Sequence, residues 1–232
     1  MLFGTLALAP AELEEPSPTP PRTRHREQEG WHAGFGLGGV GCGRFWCDGS
    51  NGMAGFDISV GHRWRRFEPV FTLDAGVGRF DRVEFEQALG IDLERARLSS
   101  LGVGLGVLLY PRLTSRGVAD PYFDVGLGFS GVWLNMKGNG FTLRDWVPRG
   151  AIRIGGGVDL FATERFSLGP GFRVSVPFAG YECIEIQGGG ETLDECVSMR
   201  ELEEQYGYPA SELPLIWMVM FRARYVWRGR SG

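Results

Sequence analysis

Apolar and polar residues alternate along most of the chain after Trp31, and a two-residue period predicts β-strands with two different faces. The run from Leu101 to Val107 shows it most clearly, since large apolar residues alternate there with glycines. Eight segments share the pattern, and each reaches the ~9–11 residues with which a tilted strand crosses a bilayer. They are 31–42, 52–64, 68–79, 97–110, 121–133, 149–161, 166–179 and 213–227.

The connections between these segments alternate in length. Arg65-Arg66 and 162–165 are short, and only 111–120 is longer than a regular alternation requires. The long connections are 43–51, 80–96, 134–148 and 180–212. Outer-membrane barrels have short periplasmic turns and longer external loops. The sequence therefore predicts an all-β fold, a closed antiparallel up-and-down transmembrane β-barrel of about eight strands, with both termini on the periplasmic side.

Composition bears on which face of the strands meets lipid. Glycine makes up 37 of 232 residues, and Lys137 is the only lysine among 24 basic residues. A face of glycine with isolated charges suits a narrow lumen better than a water-exposed surface, so the apolar face is expected to meet lipid. A soluble lipocalin-like ligand-binding barrel needs the reverse orientation, and alternation alone leaves that alternative open.

Charged residues recur at the predicted inward positions, where single charges are costly and have to pair. They are Asp57, Asp74, Asp124, Asp159, Arg63, Arg153, Arg173, Arg222 and Arg224. Arg222 and Arg224 are expected to pair with Asp124 and Asp159 in a lower layer. Because eight strands leave little open space, the network is interpreted as a plug that closes the lumen. A narrow ion or small-solute channel is the alternative.

A two-residue turn at Arg65-Arg66 would place Asp57 directly opposite Asp74 on adjacent strands. Two like charges in such a pair repel unless a cation lies between them. We therefore expect Arg153 or Arg173 to reach across the lumen to both carboxylates.

Aromatic residues fall near both ends of the predicted strands, as the interface girdles of membrane barrels do. Those assigned to the membrane interface are Trp31, Trp64, Trp133, Tyr225 and Trp227. With these girdles and eight alternating segments, residues 31–227 resemble the small outer-membrane barrels of the OmpA/OmpX type. The resemblance implies a bacterial outer-membrane location, the lipid bilayer as a partner, and recognition of the last strand by the barrel-assembly machinery through aromatics such as Phe221. The chain departs from that family by continuing through a tail, 228–232.

The N-terminal region carries no strand pattern. Leu2 to Ala9 is apolar and Ala9-Pro10-Ala11 has the small-x-small form of a signal-peptidase site, but a basic n-region is missing. Residues 1–11 are therefore interpreted as a truncated signal peptide, with a disordered tail as the alternative. The Pro-rich stretch 12–30 is expected to be a disordered linker.

The four cysteines bracket parts of two long loops, Cys42 with Cys47 and Cys183 with Cys196. Two local disulfides are the simplest of three connectivities and fit export to an oxidising compartment. Zinc binding is less well matched, since the spacings lack the CxxC form. Loop 180–212 also holds a capping box at Ser198–Glu201 that predicts a short helix, and this loop is expected to meet an unidentified extracellular partner.

Nothing in the sequence points to catalysis, to nucleic acid or to a helical membrane span. The net charge is -4 without a recurring basic patch, and no stretch approaches ~20 continuous apolar residues. The histidines His25, His32 and His62 form no grouping with serine and aspartate. We therefore expect no enzyme activity, no cofactor and no metal.

Overall fold

The fold is taken from a computed structural model, which describes residues 29–43, 50–80, 86, 92–111, 119–163, 165–198, 200–201, 204 and 214–227. The proposed signal peptide and nearly all of the linker (residues 1–28), and the tail 228–232, lie outside the described residues and stay predictions. Within the described ranges no α-helix is long and apolar enough to cross a bilayer.

Nine antiparallel strands build the described structure. They are β1 Gly30–Gly43, β2 Ser50–Arg63, β3 Phe67–Phe80, β4 Leu93–Leu109, β5 Ala119–Gly138, β6 Phe141–Phe161, β7 Phe166–Gly188, β8 Glu191–Ser198 and β9 Leu215–Trp227. Sequential pairing from β1 to β7 is closed by β9, which pairs with both β7 and β1. An eight-stranded barrel results, because β8 pairs with β7 alone. The eight segments predicted from alternation are thus confirmed as barrel strands.

Two connections predicted as long loops are strand hairpins instead. Strands β5 and β6 continue to a two-residue turn at Asn139-Gly140, and β7 and β8 continue to a turn at Gly189-Gly190. Gly140 has a φ of 84°, and the other two glycines have φ values of 61° and 86°, a conformation that glycine adopts without strain. The strands on this side of the barrel are therefore longer than the predicted segments.

The predicted two-residue turn between β2 and β3 is present. Trp64 and Phe67 exchange both backbone hydrogen bonds, at 2.7 and 2.9 Å, around Arg65 and Arg66. At the same end of the barrel Trp31 pairs with Trp227, so the first and last strands begin and end side by side. The capping box also forms, since the Glu201 backbone N–H donates to Ser198 Oγ at 3.2 Å and the Ser198 backbone N–H donates to Glu201 Oε2 at 2.9 Å. Most of the predicted helix lies outside the described residues and stays a prediction.

The outer face of the barrel is apolar. Leu105 on β4 and Phe129 on β5 are each 69% exposed, and most outward positions of the eight strands carry Leu, Val, Ile or Phe. A soluble ligand-binding barrel needs these residues inside, so the lipocalin-like alternative is wrong about the orientation of the strands. An apolar outer face is what a membrane barrel needs where its wall meets lipid.

The interior of the barrel has a charged zone and an apolar zone. The end that carries both termini is filled with charged side chains. Toward the other end a buried apolar cluster takes over, consisting of Val40, Met53, Leu93, Ala96, Leu98, Val132, Leu134, Met136, Ile216, Met218 and Met220. These residues lie on the halves of the strands farther from the termini, and their side chains pack against one another as in the core of a soluble protein.

Candidate functional site: the charged lumen

Glycines give the lumen its room for long side chains. A Cβ at Gly104 would overlap the Arg153 guanidinium, and one at Gly102 would lie 2.5 Å from Asp74 Oδ2. Both positions face inward on β4, between the outward leucines and valines. The alternation of glycine with large apolar residues therefore serves both faces at once, since it covers the outside and leaves the inside free for an ion-pair network.

Asp57 lies at the centre of this network and is fully buried, with 0% exposure. Arg173 Nη1 donates to Asp57 Oδ2 and Arg222 Nη2 donates to Asp57 Oδ1, both at 2.8 Å. Arg173 also donates from Nε to Asp124 Oδ2 at 3.0 Å. One carboxylate thus joins arginines from β7 and β9, and one arginine joins carboxylates from β2 and β5.

Asp74 stands directly opposite Asp57 across the β2–β3 ladder, as the two-residue turn predicts. The repulsion between them is offset by two arginines. Arg153 pairs with Asp74 and donates to the Thr72 hydroxyl at 2.7 Å. Arg173 Nη1 lies 3.7 Å from Asp74 Oδ1 while it bonds Asp57. Both candidate arginines therefore reach the aspartate pair.

Arg224 organises a second layer nearer the end with the termini. Its guanidinium pairs with Asp159 and with Glu68, and it contacts His32 Nδ1 at 3.0 Å. The Tyr110 hydroxyl donates to Glu68 Oε2 at 2.8 Å. All five side chains are buried, so this layer is a compact hydrogen-bonded cluster shut off from solvent.

Arg63 and Arg222 make further contacts with polar and aromatic side chains of the lumen. Arg63 donates to Asp120 Oδ2 at 3.0 Å and stacks over the Tyr110 ring at 3.7 Å from its centroid. Arg222 donates to the Tyr122 hydroxyl at 3.4 Å. Each of the five predicted lumen arginines therefore has at least one carboxylate partner.

The predicted pairing was wrong in part. Arg224 does pair with Asp159, but Arg222 pairs with Asp57, and Asp124 pairs with Arg173. The strands of a closed barrel are tilted and staggered, so residues at equal distances from their strand ends do not lie at the same height. The predicted pairs were chosen by the distance of each residue from the end of its strand, which takes no account of this stagger.

Several partners of the lumen arginines were missed from the sequence: Glu68, His32 and Tyr110 around Arg224, and Asp120 beside Arg63. The sequence did contain a signal for them, because residues at alternate positions of a strand point to the same face. Glu68 has the same parity as Asp74 on β3, and His32 has the same parity as the inward glycines of β1. Their positions at the ends of strands made them look like interface residues.

The interface aromatics lie on the outer wall of the barrel, and two of the cysteines form a disulfide in an external hairpin. Trp31, Trp64, Tyr225 and Trp227 are all about half exposed, at the end with the termini. Trp133 stacks in parallel on Trp146 near the other end, with ring centroids 6.1 Å apart. Cys183 forms a disulfide with Cys196 across the β7–β8 hairpin. Cys42 lies near the end of β1, and Cys47 lies outside the described residues, so their pairing stays a prediction.

Two acidic residues lie close to the outer aromatic girdle, which Trp133 and Trp146 mark. Asp145 follows Trp146 outward along β6 and is 7% exposed, and Glu182 precedes Cys183, the ladder partner of Trp146. Burial, with Glu182 nearby, raises the pKa of Asp145 to about 8, which the backbone hydrogen bond at Trp146 only partly opposes.

The Asp145 carboxyl group makes stability depend on pH. Asp145 has a higher pKa in the folded barrel than in the unfolded chain, so the folded state binds more protons between about pH 4 and pH 8, and stability falls as pH rises through that window. We expect the free energy of unfolding in lipid vesicles to fall by roughly 1–3 kcal/mol between about pH 5 and about pH 9. Asp145→Asn should flatten the dependence, and parallel curves for both proteins would contradict this assignment.

Comparison with known proteins agrees with this architecture. No protein-family model and no curated protein matches the chain. A major outer membrane protein from Thermus thermophilus is similar in structure, with a TM-score of 0.59 and 10% identity over 85% of this chain and 98% of that one. The outer membrane protein OprG from Pseudomonas aeruginosa is similar with a TM-score of 0.53 and 11% identity over 88% and 100%. The fold is therefore that of small outer-membrane β-barrels, as the sequence pattern indicated.

No metal site emerges from the lumen. Among the described residues, no group of three or more His, Cys, Asp or Glu side chains is arranged to hold a metal ion. The carboxylates of the lumen are instead occupied by arginines, which fixes their geometry.

Proposed function

We propose that this chain is a bacterial outer-membrane protein whose barrel is a closed scaffold. The ion-pair network plugs the lumen, and the external hairpins and loop 180–212 make contact with an extracellular partner. One observation carries the proposal: the network joins five strands through Asp57, Arg173, Arg222, Asp124 and Asp74, so it spans the lumen from wall to wall. A narrow barrel crossed in this way has no continuous water path.

The apolar outer belt supports the location in a membrane. Lipid-facing apolar residues and closed backbone pairing are what an outer-membrane barrel requires. Phe221, Tyr225 and Trp227 are exposed on the outer face of β9 and would be available to the assembly machinery. The role as a scaffold involves no catalysis.

The external hairpins support the assignment of contacts to that side. The β7–β8 hairpin projects beyond the girdle, is held by the Cys183–Cys196 disulfide and presents exposed acidic residues such as Glu191, Asp194 and Glu195. A rigid hairpin loses little entropy on binding, which suits a recognition element.

A narrow ion channel is the second candidate. Several buried guanidinium nitrogens, among them Arg153 Nε and Arg222 Nε, have no hydrogen-bond partner in the part of the chain that the structure describes. Nitrogens of this kind can bind water along a path between the ion pairs.

Single-channel recording separates these candidates. The full chain, refolded and inserted into a planar bilayer, is expected to give a silent membrane, while protease protection of the barrel confirms insertion. Arg173→Ala removes the arginine that joins Asp57 to Asp124, and this variant should admit ions if the network is the plug. Discrete steps from the wild-type protein that change in the Arg173→Ala variant would mean a pore and would overturn the plug.

A further inference from the structure

A basic cleft lies on the outside of the barrel, just above the apolar belt. Arg79 on β3 and Arg95 and Arg97 on β4 line it, together with Glu94, and its volume is about 620 Å³. The three arginines are exposed on the outer wall. This cleft belongs to neither the lumen network nor the external hairpins.

The register fixes the height of the cleft. On β4, Ser99 is paired with Trp133, a member of the outer aromatic girdle, and with Val77. The next outward pair along the same strands is Arg79 with Arg97. Aromatic girdles mark the boundary between hydrocarbon and headgroups. The arginines therefore lie one step above that boundary, beside the barrel and at the level of the headgroups.

The arrangement of charges in the cleft is unfavourable without an anion. Arg79 and Arg97 are directly opposite each other across two antiparallel strands, where like charges destabilise a sheet. Arg95 is paired in the next ladder with Lys137. Among the described residues none of the three arginines forms an ion pair, and Glu94, the carboxylate that lines the cleft, lies 3.2 Å from the Lys137 ammonium. By contrast, every predicted lumen arginine has a carboxylate partner.

We propose that this cleft binds the phosphate groups of an outer-leaflet lipid headgroup. Three guanidinium groups supply paired donors that match phosphate oxygens, which is the interaction that arginine makes best. Two features favour a lipid over a soluble anion: the side chains project sideways from the barrel wall, and they stand directly over the apolar belt that acyl chains would cover. The inference rests on the proposed location in the outer membrane.

The test measures binding of a defined phosphorylated lipid to the full chain. Native mass spectrometry of the protein, refolded in a neutral detergent, compares lipid A that carries both phosphates with the same lipid after dephosphorylation. The wild-type protein should bind the phosphorylated form about tenfold more tightly, and added salt should reduce the difference. This comparison needs no variant, so it stands even if a variant folds poorly.

Variants then locate the site. The triple variant R79Q/R95Q/R97Q should lose the preference for phosphate. The matched control is R65Q/R66Q/R165Q, which removes the same charge from exposed turns at the opposite end of the barrel. Equal binding of both lipids by the wild-type protein, or an equal loss in both triple variants, would overturn the inference.

Competition with inorganic phosphate distinguishes a lipid headgroup from a free anion as the ligand. The solubility of the chain distinguishes failure of the proposed membrane location from failure of the lipid site alone. If millimolar inorganic phosphate displaces the lipid completely, the cleft is a site for free anions and the lipid assignment is wrong. Failure of phosphate to compete supports the headgroup. A chain that stays soluble without detergent would overturn the proposed location and this inference with it, whereas an inserted chain without phosphate preference would overturn the inference alone.

Discussion

Replacing Arg224 with methionine is expected to lower the free energy of unfolding by about 3–5 kcal/mol, because removal of one partner of a buried ion pair leaves uncompensated charge. Arg224 pairs with both Glu68 and Asp159, and all three side chains are buried. Methionine keeps much of the volume of the side chain, so the loss reports the charge. Urea unfolding of the protein in lipid vesicles, followed by tryptophan fluorescence, measures it.

Two controls make this result specific. Arg200→Gln removes an exposed ion pair with Glu204, 3.0 Å long, and should cost less than about 1 kcal/mol. Adding Glu68→Gln and Asp159→Asn to Arg224→Met should restore a large part of the lost stability, since no buried charge of that cluster would then lack a partner. A loss for Arg224→Met no larger than that for Arg200→Gln would show that the cluster does not hold the barrel together.

Leu105→Arg is expected to cost about 2–4 kcal/mol in vesicles, the range for a cation at the bilayer midplane on the lipid face of a barrel. Leu105 is 69% exposed and is the middle one of five outward apolar positions on β4. On a water-exposed surface the same change would usually stay within about 0.5 kcal/mol. The size of the loss in the free energy of unfolding therefore distinguishes a lipid-facing wall from a solvent-facing one.

The matched control for that substitution is Leu193→Arg. Leu193 is 56% exposed on β8, the external strand that pairs only with β7. Because this residue lies outside the membrane, its replacement should change stability by no more than about 0.5 kcal/mol. Similar losses for the two leucines, whether large or small, would contradict the placement of the belt in lipid.

The barrel itself was predictable because a strand between lipid and a narrow lumen must alternate at every position. On β4, side chains from Leu101 to Leu109 point alternately outward and into the lumen, and the sequence alternates between large apolar residues and glycines over most of that run. The placement of both termini at one end followed from the even number of segments and from the short turns, and closure followed from the need to pair every backbone group in lipid. Both inferences depend on local sequence and need no knowledge of distant contacts.

The external hairpins escaped prediction because alternation weakens where both faces of a strand leave the membrane. The turn signals were nevertheless present. Asn139-Gly140 and Gly189-Gly190 are two-residue sequences that favour tight hairpin turns. Such a turn fixes strand pairing on both sides of it, so the two connections that contain these turns could have been interpreted as hairpins.

The charged site was predictable in composition and only partly in pairing. A two-residue turn fixed the register of Asp57 and Asp74 without any tertiary information. The partners of Arg222 and Arg173 depend instead on barrel stagger and on the reach of flexible side chains across the lumen. Those are tertiary properties, and no pattern within one strand contains them.

The central claim, that the apolar outer face of this barrel lies in lipid, is tested most directly by spin labels. Nitroxides at Leu105→Cys and Phe129→Cys, with a third at Leu193→Cys as the aqueous reference, are read in vesicles for collisions with oxygen and with a water-soluble nickel chelate. The structure predicts that oxygen, and not the chelate, reaches the labels at 105 and 129, while the chelate reaches the label at 193. Free access of the chelate to all three would contradict the membrane barrel.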